Sequence, residues 1–282
     1  MIIGRRWRPH MLTDRSGRVR EARKLLRRPA REKTGRFLAE GPQAVREAVA
    51  AGADRVVEVF ATPAAAERWP EIVAGARAAG VAVVTADDAA LAALSETVTP
   101  QGLVAVCRSL TVDLPTALGG GTWLVAVLAE ARDPGNAGTV IRCADAAGAD
   151  AVVLTRGSVD PQGGKAVRAS AGSVFHLPVV ADVPATEAVD ALRRGGLTVL
   201  AADGAADLDL DEAESAGMLD GPVAWLFGNE AWGLPDDVRA LADHVVSVPI
   251  HGRAESLNLA TAAAVCLYAA ARVQRCRGGR RV

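Results

Sequence analysis

The chain has 282 residues, half of them apolar and 23% charged, a composition that excludes wholesale disorder and a length that fits about two domains. Its longest uncharged stretches, 114–129 and 256–271, reach 16 residues each, short of the ~18–20 that a membrane-spanning helix needs, so a soluble protein with no membrane partner is expected. The net charge of −1 hides an asymmetry: residues 1–36 hold 13 Lys/Arg against Asp14, Glu21 and Glu32, a local +10, and the remainder carries −11.

Residues 1–15 read as a basic extension. Met11 opens a segment that resembles a natural beginning, which makes residues 1–10 an added stretch or a misassigned start. A basic helix is expected at 19–28, stopped by Pro29. A strand follows at 36–39, then a helix at 42–51 with Pro42 at its start and Gly52 past its end, the usual asymmetry. Strand patterns recur at 55–60, 81–85 and 103–107 with Ala-rich helical runs between them, which gives a small α/β unit over 16–110. The stretch 111–120, with Pro115, Gly119 and Gly120, reads as a linker. A second α/β unit over 121–282 opens with an apolar run at 123–129, the pattern of a strand buried on both faces. Further strands are expected at 151–154, 177–180, 197–201, 223–227 and 245–248. Residues 257–272 are apolar almost all the way round, which for a last helix predicts burial on more than one side, between its own sheet and a second subunit.

The last eleven residues add Arg272, Arg275, Arg277, Arg280 and Arg281 with no acid. Basic ends around an acidic body suit a polyanionic partner, or else a pair of solvated, partly disordered tails. Cys107, Cys143, Cys266 and Cys276 lie far apart, without C-x-x-C spacing or a histidine at ligand distance, so neither a disulfide framework nor a zinc site is expected. Arg5, Arg6 and Arg8 precede no apolar run, so no signal peptide is expected and the default location is cytoplasmic.

Three segments combine glycine, proline and polar residues at the expected C-terminal end of a strand, where open α/β sheets bind ligands. The first is Asp133-Pro134-Gly135-Asn136-Ala137-Gly138, followed by a helix carrying Arg142. Asn136 suits a helix N-cap, and alone the segment equally describes a capped helix with a solvated arginine. The second, Gly228-Asn229-Glu230-Ala231-Trp232-Gly233-Leu234-Pro235, describes a tight loop whose backbone comes close to something. The third is Val248-Pro249-Ile250 followed by Glu255-Ser256-Leu257-Asn258, with Ser256 or Asn258 starting the last helix. An N-cap role for Ser256 alone would be worth about 1 kcal/mol.

In their order and spacing these segments resemble the SpoU family of RNA ribose 2′-O-methyltransferases, the TrmH-like branch of the SPOUT superfamily. Asn136-x-Gly138-x-x-x-Arg142 fits its first motif, Gly228-Asn229-Glu230-x-x-Gly233 its second, and Val248-Pro249 with Ser256-Leu257-Asn258 its third. Arg168-Ala169-Ser170-Ala171-Gly172 looks like the family's intervening helix, and Gly35-Arg36-Phe37-Leu38-Ala39-Glu40-Gly41 looks like part of its amino-terminal substrate-binding domain. Asn229 and Ala231 are positions where relatives vary. The resemblance implies an α/β fold with a SPOUT-type parallel sheet and a C-terminal deep trefoil knot, which the usual connection rules would not have suggested. It implies a homodimer and S-adenosylmethionine bound in bent form in the knot, against Gly228, Val248, Ile250 and Leu257. The implied partner is RNA, ribosomal in preference to transfer RNA.

Arg142 corresponds to the family's catalytic arginine, assigned as a general base. A guanidinium keeps its proton in proteins, so the role expected here is to orient the ribose hydroxyl and neighbouring phosphate and to stabilise the developing alkoxide. Asn136, Glu230, Ser256 and Asn258 would position Arg142, the ribose and the knot loops, with no metal. Trp232 either stacks on a base or packs against the knot, and His251 is a polar loop residue or a base. A Rossmann fingerprint, a phosphate-binding P-loop and the G-x-S-x-G of serine hydrolases are all absent. The remaining alternative is a non-catalytic RNA-binding protein on the same scaffold.

Overall fold

The computed structural model describes residues 11–276, and the chain divides into two compact units, Met1–Ser109 and Leu110–Val282. Residues 1–10 of the expected extension and the tail arginines Arg277, Arg280 and Arg281 lie outside the described residues.

In the first unit, β1 (Arg36–Glu40), β2 (Val56–Ala61), β3 (Ala82–Thr85) and β4 (Leu103–Arg108) form a sheet in the order β1-β4-β2-β3. β4 runs antiparallel to both neighbours, and β2 and β3 are parallel. Leu12, inside the expected extension, bonds Thr85 and Asp87 through its backbone, so the chain is already ordered against β3 at that point. The basic helix expected at 19–28 runs from Gly17 to Arg23 and on through a 3-10 turn, Lys24–Leu26, and a second helix, Arg28–Thr34, follows with Arg27 extended between them. Pro29 is the cause. It cannot donate within a helix but fits the first turn, where its N–H would go unused, so it starts the second helix.

The second unit holds β5 (Leu124–Leu128), β6 (Ala151–Thr155), β7 (Val179–Val183), β8 (Thr198–Ala202), β9 (Leu208–Asp209), β10 (Val223–Phe227) and β11 (His244–Ser247). Their order is β7-β6-β5-β10-β8-β11-β9, and all neighbours are parallel. Every residue of β5, β6 and β10 is buried, as continuous apolar runs require of strands covered on both faces. The stretch 111–120, expected as a linker, is built into this unit. Val112 donates to the Val179 carbonyl at 3.0 Å, and the short helix Leu114–Ala117 packs on β7 and the helix Ala185–Arg194 and buries Leu114 and Ala117 in the core of this unit. Asp113 caps that helix by accepting from Thr116 at 2.9 Å.

The helix Leu259–Cys276 packs on the helix Pro134–Ala147 and on β5 and β10. It buries Ala263, Cys266, Leu267 and Ala270 but leaves Val265 and Tyr268 exposed. Within one chain it is therefore covered on one side. Among the described residues no helix is long and apolar enough to cross a membrane.

Gly138 lets two helices touch. A Cβ there would lie 2.3 Å from the Ala166 carbonyl oxygen and 2.7 Å from Ala169 Cβ, on the helix Gly164–Ala169. At an open helical position Gly→Ala gains about 1 kcal/mol of propensity. Here overpacking of roughly 1–3 kcal/mol opposes it, and the obstacle is backbone, which cannot swing aside. Gly138→Ala is expected to lower the unfolding temperature by several degrees in calorimetry, at about 2–4 °C per kcal/mol for a chain of this size. A raised temperature would show that the helices part easily.

Candidate active site

The site lies at the carboxyl edge of the parallel sheet, where the chain leaves β5 towards β6 on one side and β10 ends beside it. This is the switch point at which open α/β sheets leave a crevice. After β5 the backbone turns sharply: Glu130 has φ of 52°, a conformation that a non-glycine residue keeps only when its surroundings hold it. The Asn229 amide supplies one restraint, donating to the Glu130 carbonyl at 2.7 Å. Thr155 Oγ1, accepting from the Glu130 N–H at 3.2 Å, supplies another.

Asp133, and not Asn136, caps the helix Pro134–Ala147: its carboxylate accepts from the Asn136 N–H at 2.8 Å. Proline at the first helical position moves the cap to the residue before it. Lys165, donating to Asp133 at 2.7 Å, and then the Asn136 N–H hold the Asp133 carboxyl below the ordinary carboxylate range. The cap therefore stays charged at neutral pH, opposite the positive helix end.

With its backbone committed to Asp133, the Asn136 side chain is left for longer-range contacts. Its Nδ2 donates to Glu230 Oε1 at 3.2 Å, and its Oδ1 accepts from Asn258 Nδ2 at 3.0 Å. Glu230 also accepts from the backbone N–H groups of Arg132 and Asp133, at 3.2 and 3.3 Å. Asn258 Oδ1 accepts from Ala260 N–H at 2.9 Å, which makes it the cap of the last helix. One hydrogen-bonded chain, Glu230–Asn136–Asn258, thus ties the three segments together.

The loop after β10 closes on itself through Asn229 and Gly233, whose backbones exchange bonds at 2.8 and 3.0 Å. Asn229 is buried, and its Oδ1 accepts from the Ala231 N–H at 2.8 Å. Beside this loop is a cavity of about 740 Å³, within the ordinary range for small-molecule sites. Gly228, Val248, Ile250 and Leu257 line it, as do Glu230, Ser256 and Asn258. Asn136 reaches its rim through its bonds to Glu230 and Asn258. Arg142 is exposed on the flank of its helix and His251 is exposed on the loop, both outside the lining. The structure therefore brings together every site residue expected from the sequence except Arg142.

The sequence reading missed Asn229 as the anchor of the loop and Asp203, at the end of β8, as part of the cavity wall. It also missed Arg132, whose guanidinium lies 4.8 Å from the centre of the Trp232 ring. Between β11 and the last helix, the backbone groups of residues 248–257 pair with nothing among the described residues. Among the described residues no group of three or more His, Cys, Asp or Glu is placed to hold a metal ion.

Residues 123–268 match the SpoU rRNA methylase family, and residues 17–105 match the MRM3-like substrate binding domain. The chain belongs to the SpoU rRNA methylase family. A relative in Bacillus subtilis (strain 168), named 23S rRNA (guanosine(2553)-2′-O)-methyltransferase RlmP, is 36% identical over 89% of this chain and 94% of its own. Among solved structures, the SpoU methyltransferase AviRb from Streptomyces viridochromogenes, in complex with the cofactor AdoMet, superposes with a TM-score of 0.80. It is 30% identical, covering 93% of this chain and 100% of its own. The AdoMet-bound rRNA methyltransferase from Sinorhizobium meliloti gives a TM-score of 0.78 at 29% identity, covering 93% and 97% of the two chains. For a SpoU member, the cavity beside the Gly228 loop is the place to seek a cofactor, and its walls fit one. Small and apolar side chains line it together with the carboxylates of Asp203, Glu230 and Glu255, and the 248–257 backbone in its wall offers unpaired donors and acceptors to a purine edge.

Proposed function

We propose that this chain is an S-adenosylmethionine-dependent methyltransferase that methylates a ribose 2′-hydroxyl of 23S ribosomal RNA. The observation that carries the reading is the Glu230–Asn136–Asn258 chain, which joins the three family motifs at the mouth of the cavity. Bound S-adenosylmethionine would supply an electrophilic methyl group with an excellent leaving group. What remains for the protein is alignment of the reactants and help for a weakly acidic hydroxyl. Gly228, Val248, Ile250 and Leu257 would hold the cofactor. Glu230, Asn136 and Asn258 would fix the loops around it, Ser256 would face the ribose, and Arg142 would orient the hydroxyl and stabilise its developing charge.

The chain is proposed to act as a homodimer in the cytoplasm, with Val265 and Tyr268 on the open face of the last helix at the interface. The passage of residues 248–258 between β11 and that helix is proposed as the knotted segment of a SPOUT fold. The deciding experiment maps ribose methylation in RNA from cells with and without the gene. Loss of one 2′-O-methyl mark in 23S rRNA is expected. An unchanged map would leave a non-catalytic RNA-binding protein.

The first unit is proposed to grip RNA through its first basic helix and the turn before it, where Arg15, Arg20 and Arg23 are exposed. Each phosphate contact steepens the fall of log affinity with log salt by about 0.7–0.9. Replacing all three with Gln should flatten that slope by roughly 2, measured by filter binding of an unmodified 23S rRNA transcript. An unchanged slope would make this basic helix a bystander.

A further inference from the structure

Trp232 is unusual for a large aromatic in a closed loop, because half of its surface is exposed. The loop does not need it as a plug. The buried Asn229 and the paired bonds between Asn229 and Gly233 already hold the backbone. An indole has two faces, and the Arg132 guanidinium, 4.8 Å from the ring centre, takes one of them. The Arg132 backbone is fixed, since its N–H donates to Glu230, and its guanidinium, 3.9 Å from the Glu130 carboxylate, remains 63% exposed. The guanidinium thus sits between the Glu130 carboxylate and one face of the indole, and half of the indole stays open. Ala231 and Gly233, on either side of Trp232 in the chain, line the cavity.

From this arrangement we infer that Trp232, backed by Arg132, is a stacking platform for a nucleobase of the RNA beside the cavity. The inference rests on the RNA methyltransferase reading and adds to it a substrate-binding pair made of an open position of the second motif, Trp232, and a residue before the first, Arg132. An aromatic face suits an unstacked base of any sequence, because every base presents a π-face. The cation behind the indole is attracted to the ring face and steadies it from that side. A protein partner would also use an exposed Trp and Arg, and the test separates it from RNA.

The test uses the full chain with Trp232→Ala, Trp232→Phe and Trp232→Leu. Affinity for an unmodified in vitro transcript of 23S rRNA is read by filter binding, S-adenosylmethionine affinity by calorimetry, and oligomeric state by light scattering. Stacking predicts that Ala weakens RNA binding by roughly 5- to 100-fold. Phe should recover to within about threefold because it restores a π-face, and Leu, of similar apolar bulk, should behave like Ala. Cofactor affinity should hold in all three. Rescue by Leu as good as by Phe would mean simple packing, and wild-type RNA affinity in the Ala variant would mean no stack. A parallel fall in cofactor affinity would mean a loop-scaffolding role, and a changed oligomeric state a protein interface. Each of these overturns the inference. If the wild type binds RNA but methylates no ribose, the enzymatic reading fails while the Trp232 series still decides the stack. If it binds no RNA, both fail.

Discussion

Arg142→Ala is expected to lower single-turnover methyl transfer by roughly 10²–10³, the scale lost when one preorganised electrostatic donor is removed. Its helix is held at the start by the Asp133 cap and by Pro134, and Arg142 rises about 9 Å further along the axis than Asn136. It is exposed and outside the cavity lining, so it cannot act by gripping a cofactor there. A guanidinium so placed can meet a ribose hydroxyl and its phosphate as they arrive, and its contribution then belongs to the transition state. S-adenosylmethionine affinity in Arg142→Ala should accordingly stay within about twofold of wild type, while turnover collapses. Arg142→Lys should not rescue it, because an ammonium cannot reproduce the planar fork. A solvated helix residue would predict near-normal turnover in both variants, and that result would end the assignment.

What the sequence made legible depended on the range of the interaction that fixes each feature. β5 and β10 are written as unbroken apolar runs, and burial along their whole length follows from that pattern. The ends of these strands were readable as sites because glycine, proline and polar residues cluster there. The helix Leu114–Ala117 left little periodic trace: four residues after an aspartate and around a proline look like a linker. Only the packing of Leu114 and Ala117 on the sheet shows otherwise. Asn136 as a cap was the nearest local guess, and it failed because Pro134 moves the cap to Asp133.

The bonds that make the site are out of local reach. Glu230 meets Asn136 across 94 positions and Asn258 meets Asn136 across 122. Their residues were named from the family pattern, but nothing in their spacing says that they touch. Asn229 shows the converse. An asparagine in a glycine-rich loop reads as an ordinary turn residue, and only its burial and its bond to the Glu130 carbonyl identify it as an anchor. The same distance hid Arg132 behind Trp232.

Gly228→Ala is expected to weaken S-adenosylmethionine binding by roughly tenfold or more, with turnover lost alongside. A Cβ at Gly228 would lie 2.3 Å from the carbonyl carbon of Gly233, 2.4 Å from the Leu234 nitrogen and 2.6 Å from the Gly233 oxygen. All three are backbone atoms of the same small loop. No rotamer relieves the clash, so the loop must open at the point where Asn229 and Gly233 exchange their bonds. Overpacking on this scale costs about 1–3 kcal/mol, up to roughly a hundredfold if it is drawn from binding. Residues 228–231 with Gly233 and Leu234 form one wall of the cavity, and Glu230 would move with them. Gly233→Ala is the control. Its φ of 72° strains any side chain, but a Cβ there meets nothing within 4 Å, so only the left-handed cost of roughly 1–2 kcal/mol applies. Calorimetric titration of both variants therefore separates close approach from backbone conformation: Gly228→Ala should lose the cofactor, and Gly233→Ala should keep more of it. If Gly228→Ala bound as tightly as wild type, the loop would not be the wall of the cofactor site.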